Sequence, residues 1–222
     1  MKLPLVAFAI AIALLVAPAA PALAAASVTI DATVVNQTYS FPVDPPALIT
    51  VAWSGLQVNI DSTTNAPATD NLALSFRDSA ANEVLILFFK TSGSIVLQAP
   101  ALGVTTDVVL GDWSQLAGLT IKYRQDKLQI YDDAGNLLYE LANINAPSLA
   151  DIWAHTPDGT TQAFTAGSIT LSTEPDYSAM YDPSAITEAV AAVMPLLVVV
   201  AVFGVVIKIL DRMVGIVGKL GR

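Results

Sequence analysis

An all-β domain, folded as an antiparallel β-sandwich and followed by one C-terminal transmembrane α-helix, is the architecture that the 222-residue chain predicts. Three observations carry it. Between residues 25 and 173, apolar residues alternate with polar ones or form short β-branched runs, and turn residues interrupt them every 8 to 15 positions or about that. No helical periodicity competes with this pattern before Ser184. The two ends are strongly apolar, from Leu3 to Ala26 and from Ala189 to Leu210, which leaves one domain's length of ordinary globular sequence between them.

The first apolar end reads as an export signal over residues 1–24. Met1-Lys2 supplies a positive start, Leu3 to Val16 an apolar stretch, and Ala22-Leu23-Ala24 the small-x-small pattern that signal peptidase cuts after. An uncleaved anchor is the alternative, and Pro18 and Pro21 oppose it by breaking the helix before it spans a bilayer.

Candidate strands follow at Ser27 to Tyr39, Leu48 to Ile60, Leu72 to Arg77, Val84 to Lys90, Ser94 to Gln98 and Thr105 to Leu110. They continue at Leu119 to Arg124, Lys127 to Tyr131, Leu137 to Leu141, Asp151 to Ala154 and Phe164 to Ser172. The clearest unit is Gly118 to Leu141. There Leu119, Ile121 and Tyr123 share one face, as do Leu128 and Ile130, while Lys122, Arg124 and Lys127 face water. Gln125-Asp126 and Asp133-Ala134-Gly135-Asn136 supply the turns, so three consecutive antiparallel strands are expected.

Asp112-Trp113, then Leu119 to Tyr123, Leu128 to Tyr131, Gly135 and Leu137 to Leu141, resembles the laminin-G and concanavalin A-like lectin group of jelly-roll β-sandwiches. The match is one of pattern, covering about 30 residues closely and the rest of the domain loosely. The resemblance implies a jelly-roll-like sandwich that binds glycans or partner proteins, in some members through Ca2+. Acids that would serve such an ion are Asp61 with Asp70, Asp126 with Asp132 and Asp133, and Asp158, although no D-x-D-x-D-G loop is present.

A spacer at 174–183 leads to the second apolar end. Asp182-Pro183-Ser184 and Glu188 place proline and acid where a helix starts, so the transmembrane helix is expected at 184–210, kinked where Pro195 removes a hydrogen bond. Its apolar run has about the 20 residues that a bilayer core requires. The tail at 211–222 is basic and amphipathic, which places it on the cytoplasmic side. The protein is therefore expected in a cell membrane or viral envelope as a single-pass type I protein with the domain outside. The stretch from Lys208 onward has two placements, along the inner lipid interface or as a helix extension packing laterally on other copies.

Composition narrows the chemistry. From Ala25 to Ala185 there are five basic residues against seventeen acidic ones, a balance that repels phosphate backbones, so no nucleic-acid partner is expected. Cysteine is absent, which removes disulfides, thiolate metal sites and cysteine nucleophiles. The single histidine, His155, has no G-x-S-x-G elbow to serve, and Asp132-Asp133 point to opposite faces rather than pairing as glycosidase carboxylates do. No catalytic, metal or cofactor set emerges, and the chain does not read as an enzyme.

Three tryptophans divide by context. Trp53 and Trp113 sit among apolar residues as core anchors, whereas Trp153 beside His155 and near Asp158 forms the candidate ligand-binding group. Asn36-Gln37-Thr38 is a glycosylation sequon at an exported position. Two functions fit: an adhesion or recognition module that binds glycans or surface proteins, or a structural subunit of a cell envelope, surface filament or virion membrane.

Overall fold

The structure is a computed structural model that describes residues 26–176 and Lys208. The chain divides by compactness after Asp176, and the described domain belongs to the first unit. The signal, the transmembrane helix and the tail expected from the sequence lie outside the described residues, Lys208 apart. Among the described residues no helix is long and apolar enough to cross a membrane.

Fourteen strands form the domain. They are β1 (Ser27–Asp31), β2 (Asn36–Val43), β3 (Ala47–Val58), β4 (Ile60–Asp61), β5 (Ala66–Pro67), β6 (Asn71–Arg77) and β7 (Glu83–Lys90). After them come β8 (Ser94–Ala99), β9 (Val104–Asp112), β10 (Gly118–Tyr123), β11 (Lys127–Asp132), β12 (Leu137–Ala142), β13 (Leu149–His155) and β14 (Phe164–Pro175). One sheet runs β1-β14-β3-β10-β11-β12 and the other β2-β13-β6-β7-β8-β9, with β4 and β5 as a small ribbon. Strand pairings within both sheets are antiparallel, so the sandwich expected from the alternating pattern is what forms.

Strand alternation builds the core. In β3, Ala47, Ile49 and Val51 are buried while Thr50 and Ala52 face outward. In β10 and β11, Leu119, Ile121, Tyr123, Leu128 and Ile130 are buried, as the hairpin pattern predicts. Phe41 and Phe76, one from each of two strands in the second sheet, meet edge to face with centroids 6.2 Å apart. A fully buried side chain of this size contributes roughly 1.5–3 kcal/mol.

Trp53 and Trp113 anchor the core as expected. Trp53 packs edge-on to Phe89 and Trp113 edge-on to Phe164. Each indole N–H, which would be costly to bury without a partner, donates to a backbone carbonyl: Trp53 to Trp113 at 2.8 Å and Trp113 to Lys90 at 2.7 Å. Tyr123 is more deeply buried than either tryptophan, and its hydroxyl donates to the Pro147 carbonyl, tying β10 to the segment before β13. Burial pushes the Tyr123 phenol above its ordinary value, and the charge of Asp78 adds to that effect.

The structure differs from the sequence reading at the first strand. Ser27 to Tyr39 is two strands in two sheets, because Asp31 turns the chain: its carboxylate accepts the Thr33 N–H at 2.9 Å and its carbonyl the Val34 N–H at 3.2 Å. The chain then changes sheet again at β3, forms the β6 to β9 meander, returns for β10 to β12, and crosses twice more through β13 and β14. This path seats β13, which arrives late, between β2 and β6.

Two features fix β14. Gly167 has φ +115 at a register shift, and a Cβ there would stand 2.8 Å from the Leu56 backbone, so only glycine lets β14 approach β3 so closely. At the other end, Asp176 is buried and takes Nε of Arg124 at 2.7 Å, while its N–H reaches the Pro46 carbonyl.

Candidate ligand-binding face

Strands β13, β6 and β7 each turn one set of side chains into the core and the alternate set onto the outer face of the second sheet. In β13, Ile152 and Ala154 go inward, so Asp151, Trp153 and His155 face out. In β6, Leu72, Leu74 and Phe76 go inward, and Ala73, Ser75 and Arg77 face out. Register aligns these sets: His155 stands opposite Ala73 and Asn36, Trp153 opposite Ser75 and Thr38, and Asp151 opposite Arg77 and Ser40.

Those outward side chains bond to one another. The Trp153 indole N–H donates to Oδ1 of Asn36 at 2.8 Å. The His155 ring stacks on Trp153 with centroids 3.7 Å apart and 19° between planes. On the side of Trp153 that register gives to Arg77, the guanidinium lies 5.4 Å from the indole centroid. Nε of Arg77 donates to Asp151 at 2.7 Å and Nη2 to the Thr38 hydroxyl at 3.2 Å.

Next to this pillar, the Ser75 hydroxyl donates to Oε1 of Glu83 at 2.7 Å and lies 3.2 Å from Nε2 of His155. Burial holds the His155 pKa below its ordinary value; a backbone hydrogen bond with Thr156 and the charge of Glu83 act in the opposite direction, and Arg77 acts with burial. Burial prevails, so the neutral ring is the favoured form at neutral pH.

The residues singled out in the sequence are distributed as follows. Trp153 and His155 belong to the pillar, and Asn36 joins them through its side-chain oxygen. Asp158 lies in the loop that follows β13. It accepts the Thr156 hydroxyl and organises this loop by accepting the Thr161 hydroxyl and the N–H groups of Thr160 and Thr161, and the Thr161 and Thr160 bonds hold its carboxyl well below the usual range. The indole faces that a sugar ring would stack on are covered by His155 and Arg77, so the pillar offers ring edges and polar groups.

Two of the acids considered for calcium are similarly engaged. Asp61 accepts the N–H groups of Thr63 and Thr64, and Asp132 binds both the backbone and the side chain of Asn136. Among the described residues no group of three or more histidine or acidic side chains is placed to hold a metal ion.

Sequence reasoning missed Ser75, Arg77 and Glu83. The alternation in Leu72 to Arg77 marks Ser75 and Arg77 as outward, but their meeting with Trp153 depends on β13 pairing with β6 across more than seventy residues of chain.

No family model matches the chain, and no curated protein does. Among solved structures, it is similar to a tetrameric galectin from the ball sponge Cinachyrella sp. at 12% identity, covering 63% of this chain and 99% of that one, with TM-score 0.40. It is also similar to a toad ovary galectin in complex with thio-digalactose, at 17% identity over 67% of this chain and 98% of that one, with TM-score 0.35. A third is a fructofuranosidase from Schwanniomyces occidentalis complexed with fructose, at 12% identity over 66% of this chain and 33% of that one, with TM-score 0.42. With TM-scores this low, the function of the face is read from its own residues.

Proposed function

We propose that the domain is a glycan-binding module and that the outer face of β13, β6 and β7 is its binding surface. One observation supports this most directly: Asn36, Trp153, His155, Ser75 and Glu83 are bonded in series on an outward face, with Arg77 and Asp151 alongside. Sugar hydroxyls are recognised by planar polar side chains held in fixed orientation, since a preset donor or acceptor loses little entropy on binding. This set has that character, and the sandwich core forms without it.

The resemblance in residues 112–141 to lectin-like sandwiches supports the same reading. The module acts in adhesion or recognition at a cell membrane or viral envelope, carried by the 184–210 segment; the apolar run and the basic tail behind it support that placement. The test is a printed glycan panel probed with the full-length chain and with an Arg77→Met, His155→Ala double variant. Retention of at least one glycan by the native chain and its loss in the folded variant is the expected result. Absence of binding by the native chain across the panel overturns the proposal.

A further inference from the structure

Phe88 is a large aromatic side chain on this same face that neither the pillar nor the core accounts for. Its chain neighbours Leu87 and Phe89 are wholly buried, so β7 turns Phe88 outward, where it is half-buried. Register places it across Ala73 from His155, two interstrand spacings away or roughly 10 Å. The floor between them is short or sunken: Ala73 is 1% exposed and Ser75 0%. On its far side, Val96 lies opposite Phe88, and beyond it Val109 is 67% exposed.

The face thus has a polar flank at His155 and Glu83 and an apolar flank at Phe88 and Val109. Its cations are already matched. Arg77 is 2.7 Å from Asp151, and Lys90 is 3.6 Å from Asp107, which also accepts from Gln98 at 2.7 Å. Lys90 Nζ also lies 5.8 Å from the Phe88 ring. Glu83 accepts a hydrogen bond from the Ser75 hydroxyl, and His155 favours its neutral form. No cation that the described residues place on this face lacks an acid, and the domain around it is strongly acidic. An anionic ligand would have to break an ion pair and enter a repulsive field, whereas an uncharged one would do neither.

We infer that the ligand is an uncharged oligosaccharide whose apolar C–H face rests on Phe88 while its hydroxyls meet the His155 and Glu83 flank. This rests on the glycan-binding reading above and goes further in naming the class of glycan and the stacking residue. Aromatic rings take the C–H faces of sugars because that contact buries apolar surface on both sides.

The test titrates the full-length chain with neutral gluco-, manno- and galacto-oligosaccharides of one to six units and with oligogalacturonides of the same lengths. Neutral ligands are expected to bind with affinities that change little between low and high salt, and the uronides to bind more weakly. Phe88→Ala should weaken the neutral ligands by roughly tenfold. Phe88→Leu, which keeps apolar bulk and loses only the ring, should show the same direction, and Phe88→Tyr should retain binding. Near-UV circular dichroism checks that each variant is folded. Tighter binding of uronides, or unchanged neutral affinity in both folded Phe88→Ala and Phe88→Leu, overturns the inference while leaving glycan binding standing. Failure of both series to bind overturns it together with the reading beneath it.

Discussion

The indole N–H of Trp153 ends on the side-chain oxygen of Asn36, the first residue of β2, at 2.8 Å. The sequon asparagine is therefore a supporting member of the candidate face, and its Oδ1 orients the tryptophan on which His155 stacks. Removing that acceptor in Asn36→Ala should cost about 0.5–1 kcal/mol, because the pair is exposed and water replaces the lost partner. Ligand affinity should fall several-fold through misorientation of the pillar, and Asn36→Asp, which keeps an oxygen acceptor, should restore it. Thermal unfolding and titration of the three proteins check this.

His155 gives the fold a pH dependence of defined sign. Its folded pKa lies below the ordinary value of 6.5, so at pH values beneath 6.5 the unfolded chain binds more protons than the folded one. Stability contributed at this position is present above pH 6.5 and is lost as the pH falls below it. The decline in melting temperature from pH 7.5 to 5.5 should be steeper for the native chain than for His155→Gln, measured by circular dichroism. Equal slopes would show that the imidazole is not held neutral by burial.

Tyr123→Phe should destabilise the domain by about 1–2 kcal/mol, since it leaves the Pro147 carbonyl without the hydroxyl in a dry environment. In the native chain this phenol should remain protonated past pH 10.0, where an exposed tyrosine ionises, and should titrate only as the domain unfolds. Ultraviolet absorbance titration followed alongside circular dichroism separates the two events.

Arg124→Met removes the guanidinium from a nearly inaccessible carboxylate. Leaving Asp176 charged and buried without it should cost about 3 kcal/mol, more than any surface ion pair of the domain. Hydrogen exchange should accelerate first at Thr173 to Asp176, and chemical denaturation should record the loss. The double variant Arg124→Met, Asp176→Asn should recover part of the stability, because the buried carboxylate charge that faced Arg124 is gone.

Most of the fold was legible along the chain. The alternation in Leu119 to Tyr123 and the Gln125-Asp126 turn identified a hairpin that the structure reproduces, with Arg124 N–H closing on the Lys127 carbonyl at 2.9 Å. Local signals of this kind carry face and turn together. They failed at Ser27 to Tyr39, where the Asp31 turn contains no glycine or proline and the apolar pattern runs on across it.

The candidate face was legible only in part. Trp153 and His155 are two apart on one strand, and their common orientation follows from period two. Arg77, Glu83 and Phe88 join them through strand order, which no local pattern encodes. Asp158 was legible as a turn acid, but its hydrogen bonds to Thr160 and Thr161 were not, because they depend on how the loop after β13 closes.

The position of β14 has a mechanical consequence. It is an interior strand, hydrogen-bonded to β1 on one side and to β3 over most of its length on the other, and its last residues are held by the Arg124 to Asp176 pair. Tension applied at Asp176 along the axis of β14 would load the backbone bonds on both its edges in shear, and they would share the force. A strand peeled from a sheet edge yields one bond at a time. Drawn out from this position, the domain should resist as a unit, with the Arg124 to Asp176 pair sharing the load at the end of the strand.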